Sequence, residues 1–247
     1  MFEGDGMIMT YKYTEEGHAK IISFKEGGPK IRFPENIDGK PLEIGVNAFA
    51  NEGITGLKLT NGVVRIAASA FSQNKLTIVE IPSSVKEIGS AAFMENKINN
   101  IDIQDGIKII RFWAFGWNSL KTIEIPSSVT YLAGFNNNEL TSITIPCNVS
   151  VIGFLAFSRN NLSNVTIPDN VKVIGQLAFE KNPITEITIG NEVALSAFDG
   201  YVQNYGRIDP VFDGGFDDYY NANGKKAGTY KRTDETSTEW TWIPPKD

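Results

Sequence analysis

Three places in this 247-residue chain hold side chains with the reach to do chemistry, and each lacks the partners that chemistry needs. His18 is the single histidine, set between Gly17 and Ala19 with no serine or cysteine nucleophile at a recognisable motif spacing. A hydrolytic triad needs a nucleophile, a base and a group that orients the base, and a histidine metal site needs further ligands at set spacings. Neither set is visible. Cys147 is the single cysteine, which excludes an internal disulfide and a zinc site built on several thiolates. It follows Pro146 and reads as a small turn residue rather than a reactive thiol. The third place is the acidic stretch from Asp209 to Asp218. A calcium loop of the D-x-[D/N]-x-[D/N]-G kind ending at Gly224 would begin at Tyr219 and put Tyr230 where a bidentate glutamate is needed, so both key oxygens are missing. No phosphate-binding glycine loop is present, and a carboxylate pair for glycoside hydrolysis cannot be recognised without a cleft. The sequence therefore predicts no enzyme, no cofactor and no stoichiometric zinc or calcium.

Charge narrows the partners. The net charge is −6, which opposes a nucleic-acid or anionic-membrane role, because phosphate binding needs a clustered Lys/Arg surface. No apolar run approaches the roughly 18 residues that span a bilayer. The start, Met1-Phe2-Glu3-Gly4-Asp5, lacks a basic segment followed by an apolar one, so the expectation is a protein kept inside the cell or one whose leader has been removed. A monomer is expected.

Whatever binds must be displayed by a repeated element. Phe49, Phe71, Phe93, Phe115, Phe135, Phe157 and Phe179 recur at intervals of 22, with one interval of 20 before Phe135. A period in this range means a solenoid whose units cannot bury a core alone. Behind each Phe the pattern reads A-F-x-x-N-x-L-T-x-I-x-I-P-x-x-V-x-x-I-G, most cleanly from Ala70 to Gly89 and from Ala156 to Gly175. In the third copy, Ile98, Ile101 and Ile103 make a short half-buried strand, and equivalent strands should pair in parallel along one side. Pro82, Pro126, Pro146 and Pro168 cannot donate to a ladder and so end the strand. A second apolar pair follows, such as Val85 with Ile88, then a Gly at a bend. Asn74, Asn96, Asn118, Asn138, Asn160 and Asn182 stand three residues after each Phe, where their side chains can satisfy the backbone of their own turn and the next.

This unit resembles the bacterial BspA-type leucine-rich repeats over roughly Ile31 to Phe198, with Asn where those repeats often carry Cys. Ile31-Arg32-Phe33-Pro34 with Ile44-Gly45 resembles their usual opening coil, and the stretch from Tyr220 to Tyr230 resembles a tail of treponemal, hence spirochaete, members. The resemblance implies a cell-surface or secreted adhesion protein that binds host or microbial partners without catalysis, and it supplies no functional residues to carry over. The expected fold is a right-handed leucine-rich-repeat solenoid, mainly β, with short parallel strands on one face and short helical or irregular turns on the other. Residues 1–30 are expected to form an N-terminal hairpin cap around Glu16-Gly17, residues 31–198 the array, and residues 199–247 a C-terminal cap. In that last segment Phe212, Phe216, Tyr219 and Tyr220 would cover the core, and a hairpin would carry Trp240 and Trp242 on one face.

Two surfaces could bind. Midway along the strands, the concave face reads Lys58, Glu80, Asp102, Glu124, Thr144, Thr166 and Thr188, acidic early and threonine-rich late. It carries no aromatic anchor, so it is either a protein-partner surface or a simple solvated face. The second surface surrounds the short interval. The fourth copy has Phe112-Trp113 before its Ala-Phe and Trp117 after it, the two missing residues align with Phe112 and Trp113, and the sixth copy supplies Phe154-Leu155. Phe112, Trp113, Trp117, Tyr131, Phe154 and Leu155 either line an open apolar pocket for a lipid-like ligand or bury one another to repair the gap. Disturbed sheet pairing near Asn136-Asn137-Asn138 is expected beside it. A protein-binding adhesion module, a hydrophobic-ligand binder and an intracellular scaffold remain as alternatives.

Overall fold

The computed structural model describes residues 2–4, 7–197 and 209–245. The predicted end of the array at Phe198 and the first part of the C-terminal cap, 199–208, lie outside the described residues. In chain order the elements are β1 (Phe2–Gly4), β2 (Met7–Tyr13), β3 (Ala19–Glu26), β4 (Lys30–Arg32), β5 (Leu42–Ile44), β6 (Gly56–Lys58) and β7 (Val63–Ile66). Next come β8 (Ile78–Ile81), β9 (Glu87–Ile88), β10 (Asn100–Ile103), β11 (Ile109–Ile110), β12 (Tyr131–Leu132), β13 (Val151–Ile152) and β14 (Asn164–Thr166). The chain closes with β15 (Val173–Gly175), β16 (Glu186–Ile189), β17 (Ala194–Ala197), α1 (Phe216–Ala222), β18 (Gly228–Lys231) and β19 (Thr241–Ile243).

Most coils thus contribute two strands, and the two ladders are unequal. The Val-x-x-Ile positions build one sheet of eleven strands in the order β1-β2-β3-β5-β7-β9-β11-β12-β13-β15-β17. The Leu-x-x-Ile-x-Ile positions form short separate ladders, β4 with β6, β8 with β10, and β14 with β16. This differs from the expectation of one sheet facing helical or irregular turns: both faces carry strands, and among the described residues the array has no helix. The cause lies in the Pro turn. Val85, Val129, Val149 and Val171 donate their amides to the carbonyls of Pro82, Pro126, Pro146 and Pro168 at 3.0–3.2 Å. That turn reverses the chain and delivers the next residues extended against the same residues of the neighbouring coil. Gly89 then passes so close to the preceding coil that a Cβ would stand 2.6 Å from the backbone of Ala67 and Ala68.

The core is a column of fully buried Phe rings. From Phe49 to Phe179 successive centroids lie 5.2–5.9 Å apart with planes within 19° of parallel. Beside it runs the Asn ladder. Asn96 donates through Nδ2 to the carbonyls of its own Phe93 and of Phe71 in the preceding coil, and its Oδ1 accepts from Leu76. The partner is therefore the preceding coil rather than the next. These bonds pair carbonyls and amides that the bend would otherwise orphan in an apolar interior.

Both ends close the column by imitating a coil. At the N-terminus β2 and β3 form an antiparallel hairpin, and β3 pairs in parallel with β5, so the hairpin extends the long sheet. At the other end the backbone of residues 210–213 takes the place of the next coil. Leu177 and Phe179 donate to the carbonyls of Pro210 and Val211, and the Lys181 amide donates to Asp213 Oδ2 at 2.6 Å. Phe212 continues the column at 4.9 Å from Phe179, and Phe216 meets it edge-on. The hairpin of β18 and β19 pairs antiparallel with β16 and packs Trp240 and Tyr230 over Phe216.

Candidate functional site

Every full-length coil turns its corner through two residues in the left-handed conformation, two before and two after the Phe, with φ between 51° and 60°. Ser69 and Gln73 hold these places in one coil and Ala91 and Glu95 in the next, while the fourth copy puts Trp113 and Trp117 there. A left-handed turn made without glycine is strained, and here the ladder on either side of it holds the chain in place. In the fifth copy the two missing residues remove the first left-handed position, and Gly134 at φ 95° takes up the turn. In neighbouring coils the amide at that position donates across to the next coil, as Ser69 does to Ser90 and Ala91 to Phe112. The fifth copy has no counterpart of Ser90 or Phe112, so Trp113 faces a coil without that rung.

The corner is only partly open. Phe112, Trp113 and Trp117 form an edge-to-face chain with centroid distances of 5.3 and 5.8 Å. Trp117 is 42% exposed, whereas Phe112, Trp113, Phe154 and Leu155 are half-buried. Tyr131 is a correction to the pocket as drawn from sequence: at 4% exposure it lies in β12 and lines no solvent-filled wall. Its hydroxyl fills the space where a side chain on Gly153 would stand, which is available because that position carries no Cβ. Among the described residues, Trp113 Nε1 and Asn136 Oδ1 are buried there without hydrogen-bond partners, and Asn136 is only 1% exposed. The Asn ladder stays closed at this point. Asn138 keeps both carbonyls, of Phe115 and Phe135, and accepts from Leu120.

The gap is felt instead on the other face. No strand forms over 120–126 or 140–146, so the Leu-x-x-Ile-x-Ile ladder lapses in the fourth and fifth copies while β11, β12 and β13 remain paired. Of the stripe residues, Lys58, Glu80, Asp102, Glu124, Thr144 and Thr166 are all exposed. Glu80 pairs directly with Asp102 in the ladder, and Lys58 Nζ lies 3.7 Å from Glu80 Oε2. An ion pair this exposed contributes little to stability. Thr188 departs from the rest: it is half-buried and hydrogen-bonded to Thr229 at 3.0 Å, so the C-terminal hairpin ends the stripe. An open cleft of about 470 Å³, lined among others by Asp102, Asp105, Thr122 and Glu124, marks the lapse between the third and fourth copies. A wider one of about 940 Å³ runs from Cys147 and Thr166 to Thr188 and Gly228. Ile78, which the sequence also places on this face, is 55% exposed beside Glu80.

Cys147 is free and exposed. In the acidic tail, Asp213 accepts from Lys181, and Asp217 accepts from the amides of Val211 and Phe212, so both serve the cap. Tyr11 and Tyr13 donate to Asp38, which raises the Tyr13 hydroxyl above its ordinary range and lowers the Asp38 carboxyl. Among the described residues no helix is long and apolar enough to cross a membrane.

Against known proteins, the sequence matches the BspA type leucine rich repeat region in six copies, over residues 42–134 and 131–202. No match was found among curated proteins. Among solved structures, a leucine rich cell surface protein from Faecalibacterium prausnitzii superposes with a TM-score of 0.61 at 26% identity, covering 73% of this chain and 52% of that one. This chain therefore spans about half the length of that relative. A leucine-rich repeat protein from Bacteroides ovatus covers 78% of this chain and 66% of its own at 19% identity, with a TM-score of 0.41. The pneumococcal vaccine antigen PcpA covers 78% and 82% at 16% identity, with a TM-score of 0.31. The last two superpositions are too loose to carry an argument.

Proposed function

The chain belongs to the BspA type leucine rich repeat family, and from that premise we propose that it is a non-enzymatic protein-binding module of the bacterial cell surface, acting in host attachment through its strand stripe. The observation that carries this reading is the unobstructed run of exposed side chains from Lys58 through Glu80, Asp102 and Glu124 to Thr144 and Thr166. Such a run offers many evenly spaced contacts on a rigid scaffold, which is how solenoids bind extended partner surfaces. Its acidic half fits a basic partner patch, since complementary charge steers encounter and sets register. The cell-surface placement draws on the Faecalibacterium relative, which is described as a cell surface protein. Beads coated with the chain should attach to host epithelial cells, and antibody should label the chain on intact bacteria. Labelling only after lysis would favour an intracellular scaffold, and coated beads that bind no better than bare ones would sink host attachment.

A second reading rests on Trp117, whose ring stays 42% exposed beside Trp113 at the corner left by the missing residues. There Phe112, Trp113, Trp117, Phe154 and Leu155 would take a lipid-like tail. Each buried methylene would contribute roughly 0.8 kcal/mol. Tryptophan fluorescence should then resist an aqueous quencher once detergent below its micelle concentration is added. Unchanged quenching would leave the aromatics as filling for the gap.

A further inference from the structure

We propose that Glu16, His18 and Glu43 form a binding site for one divalent transition-metal ion of the zinc class, which clamps the N-terminal hairpin to the first coil of the array. Glu16 lies in the turn between β2 and β3, His18 directly precedes β3, and Glu43 is the central residue of β5, brought alongside by the parallel pairing of Lys20 with Glu43. His18 Nδ1 stands 2.8 Å from Glu43 Oε1 and 3.7 Å from Glu16 Oε2, and one ligand atom from each residue falls within 4.8 Å of the other two. Zinc held at 2.0–2.2 Å by nitrogen and oxygen in a tetrahedron sets its ligand atoms about 3.4 Å apart. The observed separations bracket that spacing, and Glu16, exposed at the turn, is free to close the remainder.

A second observation points the same way. Glu43 is only 4% exposed, between Leu42 and Ile44, which are wholly buried. Its Oε1 meets the His18 ring, with Nδ1 2.8 Å away. Its neighbours in the ladder, Lys20 and Arg65, do not neutralise it: Arg65 pairs with Glu87, and neither cation forms an ion pair with Glu43 among the described residues. A carboxylate withdrawn from water needs compensating charge. A metal ion would take the place of the hydrogen bond between Nδ1 and Oε1 and bring both carboxylates onto one cation. One nitrogen with two carboxylate oxygens suits zinc or a neighbouring transition ion; calcium asks for six or more oxygens. Three protein ligands leave one position to solvent. The ion would join hairpin and coil across 25 residues of sequence, so its effect should appear as stability of the cap.

The full-length chain, stripped with EDTA, is titrated with zinc chloride and in parallel with calcium chloride, by calorimetry and by thermal unfolding. The expected results are one zinc per chain, a rise in Tm on zinc addition, and a shift of the His18 Nδ1 resonance in nitrogen-15 spectra. Removing groups that merely orient ligands already weakens metal sites by about 10–100-fold, so Glu16→Gln and His18→Gln should each weaken zinc binding by about tenfold or more. Glu16→Gln, at an exposed turn, keeps the fold and should still abolish most of the Tm rise. No zinc binding by the native chain would overturn the proposal. So would zinc binding unchanged in both variants, or tighter binding of calcium than of zinc.

Discussion

Phe135 and Phe157 stack with centroids 5.9 Å apart, the widest step in a column whose other steps from Phe49 to Phe212 lie between 4.9 and 5.5 Å. That step lies beside the coil that lacks two residues, yet the planes stay within 8° of parallel. The column absorbs the missing residues with a shift of a few tenths of an ångström. The corner and the short ladders take up the rest.

The column should dominate stability. Phe93, stacked at 5.3 Å on Phe71 and 5.2 Å on Phe115, is fully buried, so Phe93→Ala should cost about 3–5 kcal/mol. A loss below about 1 kcal/mol in a denaturant melt would mean that the coils do not share one core.

The interlock of Tyr131 with Gly153 predicts a pair of effects. Gly153→Ala drives a methyl into the Tyr131 hydroxyl and ring and should destabilise by about 1–3 kcal/mol. Tyr131→Val, which restores the residue type found at Val151 and Val173, should relieve most of that loss in the double variant. Additive losses, measured by a double-mutant cycle, would show that the two sites do not touch.

Hydrogen exchange should separate the two faces. Amides of Ile110, Leu132 and Ile152 lie in the eleven-stranded sheet, whereas 120–126 and 140–146 form no ladder. The amides of Ile123 and Ile143 should exchange much faster than those of Leu132 and Ile152. Equal protection would mean that the short face is paired throughout.

Period and composition made much of this legible, because the features that repeat are local. Phe71 and Phe93 announce a column, and Asn74 and Asn96 announce a ladder, since each coil supplies the same groups to the next. What escaped depends on contacts between coils. The residues after Pro82 read as turn, yet their extended backbone builds the longer sheet once it meets its copy one coil away. Tyr131 read as a pocket wall because nothing near it in sequence reveals that Gly153 leaves room for its hydroxyl. Glu43 lies between Leu42 and Ile44, and only the pairing of β3 with β5 brings His18 onto it. A glutamate in a strand that is otherwise apolar was the available signal.

The C-terminal cap should weaken in alkali. The Tyr220 hydroxyl donates to the Gly190 carbonyl at 2.7 Å and accepts from the Val193 amide, and burial pushes it up from 10.0 to about 12. A folded-state value above the unfolded one means that its contribution is whole below pH about 10 and is lost as pH rises through about 12. In alkaline titration, Tyr220→Phe should flatten the fall in stability over that window. An unchanged slope would show that the buried hydroxyl does not set it.

The measurement that bears most directly on function is charge reversal on the stripe. Glu80→Lys, Asp102→Lys and Glu124→Lys together change exposed side chains on one face and leave the Phe column untouched. Bead attachment to epithelial cells should be lost in this triple variant with its melt nearly unchanged, and retained in Trp117→Ala. Attachment that survives the charge reversal and disappears in Trp117→Ala would contradict the assignment and move the binding site to the aromatic corner.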